Sequence, residues 1–210
     1  MKTIFRTPHA VYCILLSAFC ILNASVAYGQ RLEVHAIKDF STDGNAAKAW
    51  GVGGAIDLDQ LVKNITFRVS FDWALFNEKE KPFHNLRYNR KSGGVATFYS
   101  FNINNNLLFQ CGAEINYTQL KHSYVYEIDT ISIHVKKTTE QVGYFIGLAP
   151  YIGFQYKLSA RFKIALNFAP SYLILVKSKS SVKAIEPAYN KGVWLFPIRL
   201  GLSYQLFNKD

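Results

Sequence analysis

Cysteine is scarce in this 210-residue chain, with only Cys13, Cys20 and Cys111. The first two fall in an N-terminal segment that reads as a removable leader, which leaves Cys111 alone and excludes an intramolecular disulfide. A secreted soluble domain of this size often carries disulfides, so stability has to come from elsewhere, and a closed sheet is one such source. No segment holds the 3.6-residue periodicity of a long amphipathic helix, which excludes a helical bundle. Acidic residues are few, 14 against 24 Lys and Arg. No glycine-rich phosphate loop, nucleic-acid motif or metal-ligand spacing occurs, so no cofactor, metal or nucleic-acid partner is expected.

The first 29 residues do not belong to the folded domain. Lys2 and Arg6 form a positive start, residues 11–22 an apolar core, and Ser25-Val26-Ala27-Tyr28-Gly29 a small-residue cleavage site before Gln30. This is the pattern of a secretory signal peptide. Asn23 and Ser25 interrupt the apolar run short of the about 20 residues a membrane helix needs. Bulky Phe19 before Cys20 argues against lipidation. Losing Lys2 and Arg6 lowers the net charge from +10 to +8. An exported basic chain meets anionic lipid head groups rather than nucleic acid, and part of that charge is ordinary solvated loop. The predicted organisation is a signal peptide over 1–29 and one domain over 30–210.

Within that domain the dominant signal is period two, which marks strands with one apolar face. The clearest cases are residues 65–75, with Ile65, Phe67, Val69, Phe71, Trp73 and Leu75 on one face, and residues 193–207, with Trp194, Phe196, Ile198, Leu200, Leu202, Tyr204 and Leu206. The same rhythm recurs over 30–38, 49–58, 95–103, 107–118, 142–156 and 162–174. Eight strands result, joined alternately by long and short connections. Residues 77–92 and 177–191 read as long charged loops, and residues 119–140 as a protruding β-ribbon. Pro150, Pro170 and Pro197 predict bulges or weak pairing, because proline has no ladder donor.

Alternation suits both a membrane barrel, apolar outside, and a soluble lipocalin-like carrier, apolar inside. The polar faces decide in favour of the first, since they hold mostly Gly, Ala, Ser, Thr, Asn and Gln rather than the Lys and Glu of a soluble outer wall. Trp50, Trp73 and Trp194 all lie on apolar faces next to long connections, as an aromatic girdle at one membrane interface would. An open sheet edge is untenable in lipid, so the first strand must close on the eighth. The expected fold is all-β, an eight-stranded antiparallel up-and-down transmembrane β-barrel.

On strand count, loop rhythm and the motif Arg199-x-Gly201-x-x-Tyr204-x-Leu206, the chain resembles the small eight-stranded outer-membrane barrels of the OmpA/OmpX kind, and the PorT-type porin-family barrel domain. The resemblance implies a bacterial outer-membrane location with periplasmic termini and external long loops. It also makes Arg199, Gly201, Tyr204 and Leu206 a signal for the barrel assembly machinery, although residues 207–210 follow the motif.

The inward set carries Glu33, His35, Arg68, Asp72, Glu114 and Arg199. Isolated buried charges are costly, so Glu33, Arg68, Asp72, Glu114 and Arg199 are expected to pair as an ion network filling a lumen only wide enough for side chains. His84, His122 and His134 fall in the outer connections without a nucleophile and acid at specifiable spacing. The expected function is non-catalytic: a structural or interaction protein, or an accessory subunit of an envelope complex. A soluble carrier and a lipid A-modifying enzyme are the alternatives. Lys79, Lys81, Arg87, Arg90, Lys91, Lys177, Lys179 and Lys183 are candidate contacts to lipopolysaccharide phosphates, and other envelope proteins are candidate partners.

Overall fold

The computed structural model describes residues 30–41, 49–62, 64–80, 84–130, 133–180 and 192–206, with the side chains of 59–62, 76–80, 84–86, 124–130, 133–138 and 180 left aside. The expected signal peptide, Lys81 and Lys183 lie outside the described residues. The described chain forms nine strands: β1 (Gln30–Ser41), β2 (Trp50–Val62), β3 (Ile65–Glu80), β4 (His84–Asn102), β5 (Leu107–Thr130), β6 (Ile133–Lys157), β7 (Phe162–Phe168), β8 (Ser171–Ser180) and β9 (Val193–Gln205). Successive strands pair antiparallel from β1 through β7. β9 then pairs with β1 from Arg31↔Gln205 to Ser41↔Leu195, which closes the sheet on itself.

Nine strands make eight staves, because β7 and β8 are two halves of one. Both lie between β6 and β9: Phe168 pairs with Ile152 and Ile198, and Tyr172 with Leu148 and Trp194. The predicted single strand over 162–174 is therefore interrupted at Ala169 and Pro170. Carrying the register through the gap sets Pro170 opposite Pro150 on β6, and Ala169 opposite Pro197 on β9. Three prolines meet at one level of adjacent staves, and each removes an N–H from the ladder. Pro150 and Pro197 keep their register with Ala113 and Asp39 on the other side, so the break stays on the β6–β9 side of these two prolines. A separate bulge at Val176 lies between Phe145↔Leu175 and Tyr144↔Lys177.

The expected loop over 77–92 is instead mostly strand. β3 and β4 stay in register from Asp72↔Ser92 up to Glu80↔His84. Charged side chains do not prevent a hairpin whose other face continues the buried alternation. The ribbon over 119–140 is present as the prolongation of β5 and β6, paired as far as Thr130↔Ile133.

Short connections gather at the other end and are capped by side chains. Asn104 Oδ1 accepts from the amides of Asn106 and Leu107, each at 2.9 Å, and Ser159 Oγ accepts from Arg161 and Phe162. Asn64 takes the left-handed conformation (φ 62°), which asparagine tolerates better than most residues. The strand start at Gln30 and the end at Leu206 meet here too, the Leu206 amide donating to the Gln30 carbonyl at 2.8 Å.

The two faces of the wall are inverted relative to a soluble protein. Large apolar residues such as Val34, Val69, Phe71, Ile115, Leu148 and Leu200 are exposed on the outside, whereas Arg31, Glu33, Asp57, Arg68, Asp72, Glu114 and Arg199 are buried inside. A soluble lipocalin-like carrier requires the reverse arrangement. Toward the long hairpins, around Arg90 and Asp39, the interior also holds an apolar cluster of Ala49, Ala74, Tyr88, Leu120, Phe145, Leu173 and Leu195. The lumen is thus less uniformly polar than its sequence suggests.

Candidate functional site

The interior charges converge because β1, β2, β3, β4, β5 and β9 each turn one or more of them inward on their buried face. At the short-turn end, Arg68 grips Asp57 through Nε to Oδ1 (2.6 Å) and Nη2 to Oδ2 (2.8 Å). It also donates to Glu33 Oε2 at 2.7 Å and to the Tyr151 hydroxyl at 2.8 Å. Tyr151 stacks on Phe98 with centroids 4.7 Å apart, and the guanidinium lies 5.5 and 5.6 Å from the two rings. Arg31 joins from β1, with Nη2 2.9 Å from Asp57 Oδ2 and Nη1 donating to Gln155 Oε1 at 2.7 Å.

Asp72 is the centre of the upper half. Its Oδ2 accepts from Arg199 Nη2 (3.0 Å) and Arg90 Nη1 (3.4 Å), and its Oδ1 lies 2.9 Å from His35 Nε2. Arg199 also clamps Glu114 bidentately at 2.9 and 3.0 Å, and Arg90 clamps Asp39 at 2.6 and 2.9 Å. Bidentate arginine–carboxylate pairs are among the strongest charge-assisted contacts. Glu33, Arg68, Asp72, Glu114 and Arg199 are thus brought together, linked through Arg31, His35, Asp39, Asp57 and Arg90.

Of these additional members, Arg31 and His35 share the parity of Glu33, and Asp57 that of the glycine-rich face of β2. Asp39 and Arg90 were legible only by extending that parity into segments read as loop. Arg90 is the clearest correction: expected at lipopolysaccharide, it is buried in the lumen on β4, 1% exposed.

The other basic candidates whose side chains are described share the outer face. Arg87, Lys91, Lys177 and Lys179 are exposed on the outside, whereas the Lys79 side chain falls outside the described residues. Lys121, absent from the expected set, joins them on the outer face and pairs with Glu140 at 2.8 Å. Through Val142 it lies level with Lys179 two staves away.

The three tryptophans all project outward near the long-hairpin end. Trp50 lies 4.4 Å below the Lys38 ammonium, Trp73 donates to Asn89 Oδ1 at 3.1 Å, and Trp194 packs on Tyr172 with centroids 5.2 Å apart. A second aromatic group, Tyr99, Phe101, Phe109, Phe154, Phe162 and Tyr204, rings the short-turn end. Of the motif residues on β9, Arg199 and Gly201 face inward, and Tyr204 packs outward against Phe162. Among the histidines, His122 is buried against Tyr88 at 5.2 Å rather than solvated in a loop; the side chains of His84 and His134 fall outside the described residues.

No protein-family model matches this sequence, and a search of curated proteins finds no match. Solved structures do match. A major outer membrane protein from Thermus thermophilus superposes with a TM-score of 0.61 at 13% identity, over 84% of this chain and 99% of that one. Neisserial surface protein A gives 0.53 at 15% identity, over 85% and 96%. Ail, the attachment invasion locus protein of Yersinia pestis, gives 0.51 at 12% identity, over 85% and 99%. With its eight closed staves, apolar exterior and charged interior, this chain has the transmembrane β-barrel fold of small outer-membrane proteins.

Proposed function

We propose that this chain is an outer-membrane barrel that works without catalysis, through the surfaces it presents outside the cell. The observation that carries this reading is the length of β3 to β6. Pairing between β6 and β8 ends at Gln141↔Ser180, and between β2 and β3 at Trp50↔Leu75, yet β5 and β6 remain paired to Thr130↔Ile133. From Lys121 to Thr130, β5 runs on for about 30 Å at about 3.3 Å per residue. Among the described residues, a four-stranded sheet therefore continues past the last pairings that close the wall. Among the described residues, 76–80 of β3 pair with β4 alone and 133–138 of β6 with β5 alone. Edges of this kind accept an added strand from a partner.

At the base of that sheet and below it, Lys38, Arg87, Lys91, Lys121, Lys177 and Lys179 form a basic belt beside the tryptophans, suited to the phosphates of lipopolysaccharide. Ail of Yersinia pestis, one of the structural relatives, has been crystallised with the heparin analogue sucrose octasulfate; an anionic partner of that general chemistry suits the belt here. Short turns and both barrel ends then lie in the periplasm, where Arg199, Gly201, Tyr204 and Leu206 serve assembly. The ion network fills the lumen and leaves the outer surfaces to do the work, alone or as an accessory part of an envelope complex.

The expected outcome is recovery from outer-membrane extracts as a heat-modifiable band. In a Cys111→Ala background, Thr130→Cys should react with a membrane-impermeant maleimide in intact cells and Ser159→Cys should not. Recovery in a detergent-free soluble fraction, or reversed labelling, overturns the reading.

A further inference from the structure

Among the described side chains that are fully buried in the barrel interior, acids outnumber arginines by one. Among the described residues, Glu33, Asp39, Asp57, Asp72 and Glu114 are buried there against Arg31, Arg68, Arg90 and Arg199, all 3% exposed or less. This buried set holds five carboxylates and four guanidinium groups, one negative charge in excess, and a buried charge without a partner is very costly.

One further titratable side chain bridges this set. His35 sits with Nδ1 3.2 Å from Glu33 Oε1 and Nε2 2.9 Å from Asp72 Oδ1. Both carboxylates also accept from donors other than the imidazole. Glu33 accepts from Arg68 at 2.7 Å and from Asn167 Nδ2 at 3.0 Å, and Asp72 accepts from Arg199 and Arg90. An ionised carboxylate only accepts, and a neutral imidazole donates from one nitrogen alone. Two acceptors, one at each ring nitrogen, therefore call for a ring protonated on both.

The wall is shaped around the ring. In register, His35 is flanked by Gly53 on β2 and Gly201 on β9. A Cβ at Gly53 would strike His35 Nε2, and one at Gly201 would come within 2.8 Å of His35 Cβ. The charged groups around His35 are Glu33 on its own strand, Arg68 and Asp72 on β3, Arg90 on β4, and Arg199 on β9; β2 contributes only glycine at this level.

We propose that His35 is a buried proton-binding site, a standing imidazolium that supplies the fifth positive charge of this buried set. The proton makes the network neutral and holds Glu33 and Asp72 on opposite sides of one ring. Without it, two carboxylates would face an uncharged imidazole and the network would carry a net negative charge. The inference concerns the interior alone and stands apart from the outward-facing function proposed above.

The direct test is nitrogen-15 NMR of the His35 ring in the refolded full barrel in detergent micelles at neutral pH. Two protonated nitrogens with similar shifts are expected; one protonated nitrogen, with widely split shifts, overturns the proposal. A second arm uses charge repair. His35→Asn should lower the thermal unfolding midpoint by about 10 °C, and adding Glu33→Gln should recover at least half of that loss. A double variant no more stable than His35→Asn also overturns the proposal. If His35→Asn does not refold, rescue of refolding by Glu33→Gln is the expected result, and no rescue counts against it.

Discussion

Arg90 and Lys91 are sequence neighbours with opposite fates. The Arg90 guanidinium is sealed in the lumen between Asp39 and Asp72, whereas Lys91 projects outward on the same strand. Removing one partner of a buried pair leaves an uncompensated charge and costs about 3–5 kcal/mol, whereas an exposed surface change stays within about 0.5 kcal/mol. Arg90→Ala should therefore lower the urea unfolding midpoint in micelles strongly, and Lys91→Ala should barely move it. Equal effects would show that the β4 parity is wrong. At this scale the sequence marked Glu33, Arg68, Asp72, Glu114 and Arg199 as inward, because each sits inside a strand with an apolar opposite face. It did not mark Arg90, because the parity of Ser92, Gly94 and Ala96 has to be carried back into a stretch whose composition reads as loop.

At the scale of one element, β9 closes the wall through β1 on one side and through β7 and β8 on the other. Its outward Leu200 is exposed, whereas Arg199 beside it is buried. A charge on the lipid-facing side of a barrel costs about 2–4 kcal/mol near mid-membrane. Leu200→Arg should accordingly reduce the folded, heat-modifiable fraction in outer-membrane extracts, and Leu200→Met should leave it near wild type. Indistinguishable yields would argue that this face does not meet lipid. The break in the β7–β8 stave was partly legible: Pro170 announced weak pairing, and the alternation of Phe168, Pro170 and Tyr172 ran straight through it. What the pattern lacked was the neighbours, since only the register brings Pro150 and Pro197 to the same level and leaves that patch of wall short of donors.

For the whole molecule, the basic belt and the projecting sheet lie at the same end as the tryptophans, and the side-chain-capped turns lie at the other. The belt predicts that changing Lys91, Lys121, Lys177 and Lys179 together to Gln will lower the lipopolysaccharide that co-purifies, with the barrel itself still folded. Unchanged co-purification from a folded variant would remove lipopolysaccharide as the partner of this face. The sequence by itself determined the strands, the apolar outward face and the need for closure, because a two-residue period and lone Cys111 leave few other ways to stabilise such a chain. Only the tertiary structure decided how far β3 to β6 extend, which charges meet and that, among the described fully buried side chains, five acids face four arginines, because those depend on register between strands far apart in sequence. His35 shows the division most plainly: its inward parity is written in the sequence, but its two carboxylates are supplied by β1 and β3, and the space for its ring by glycines on β2 and β9.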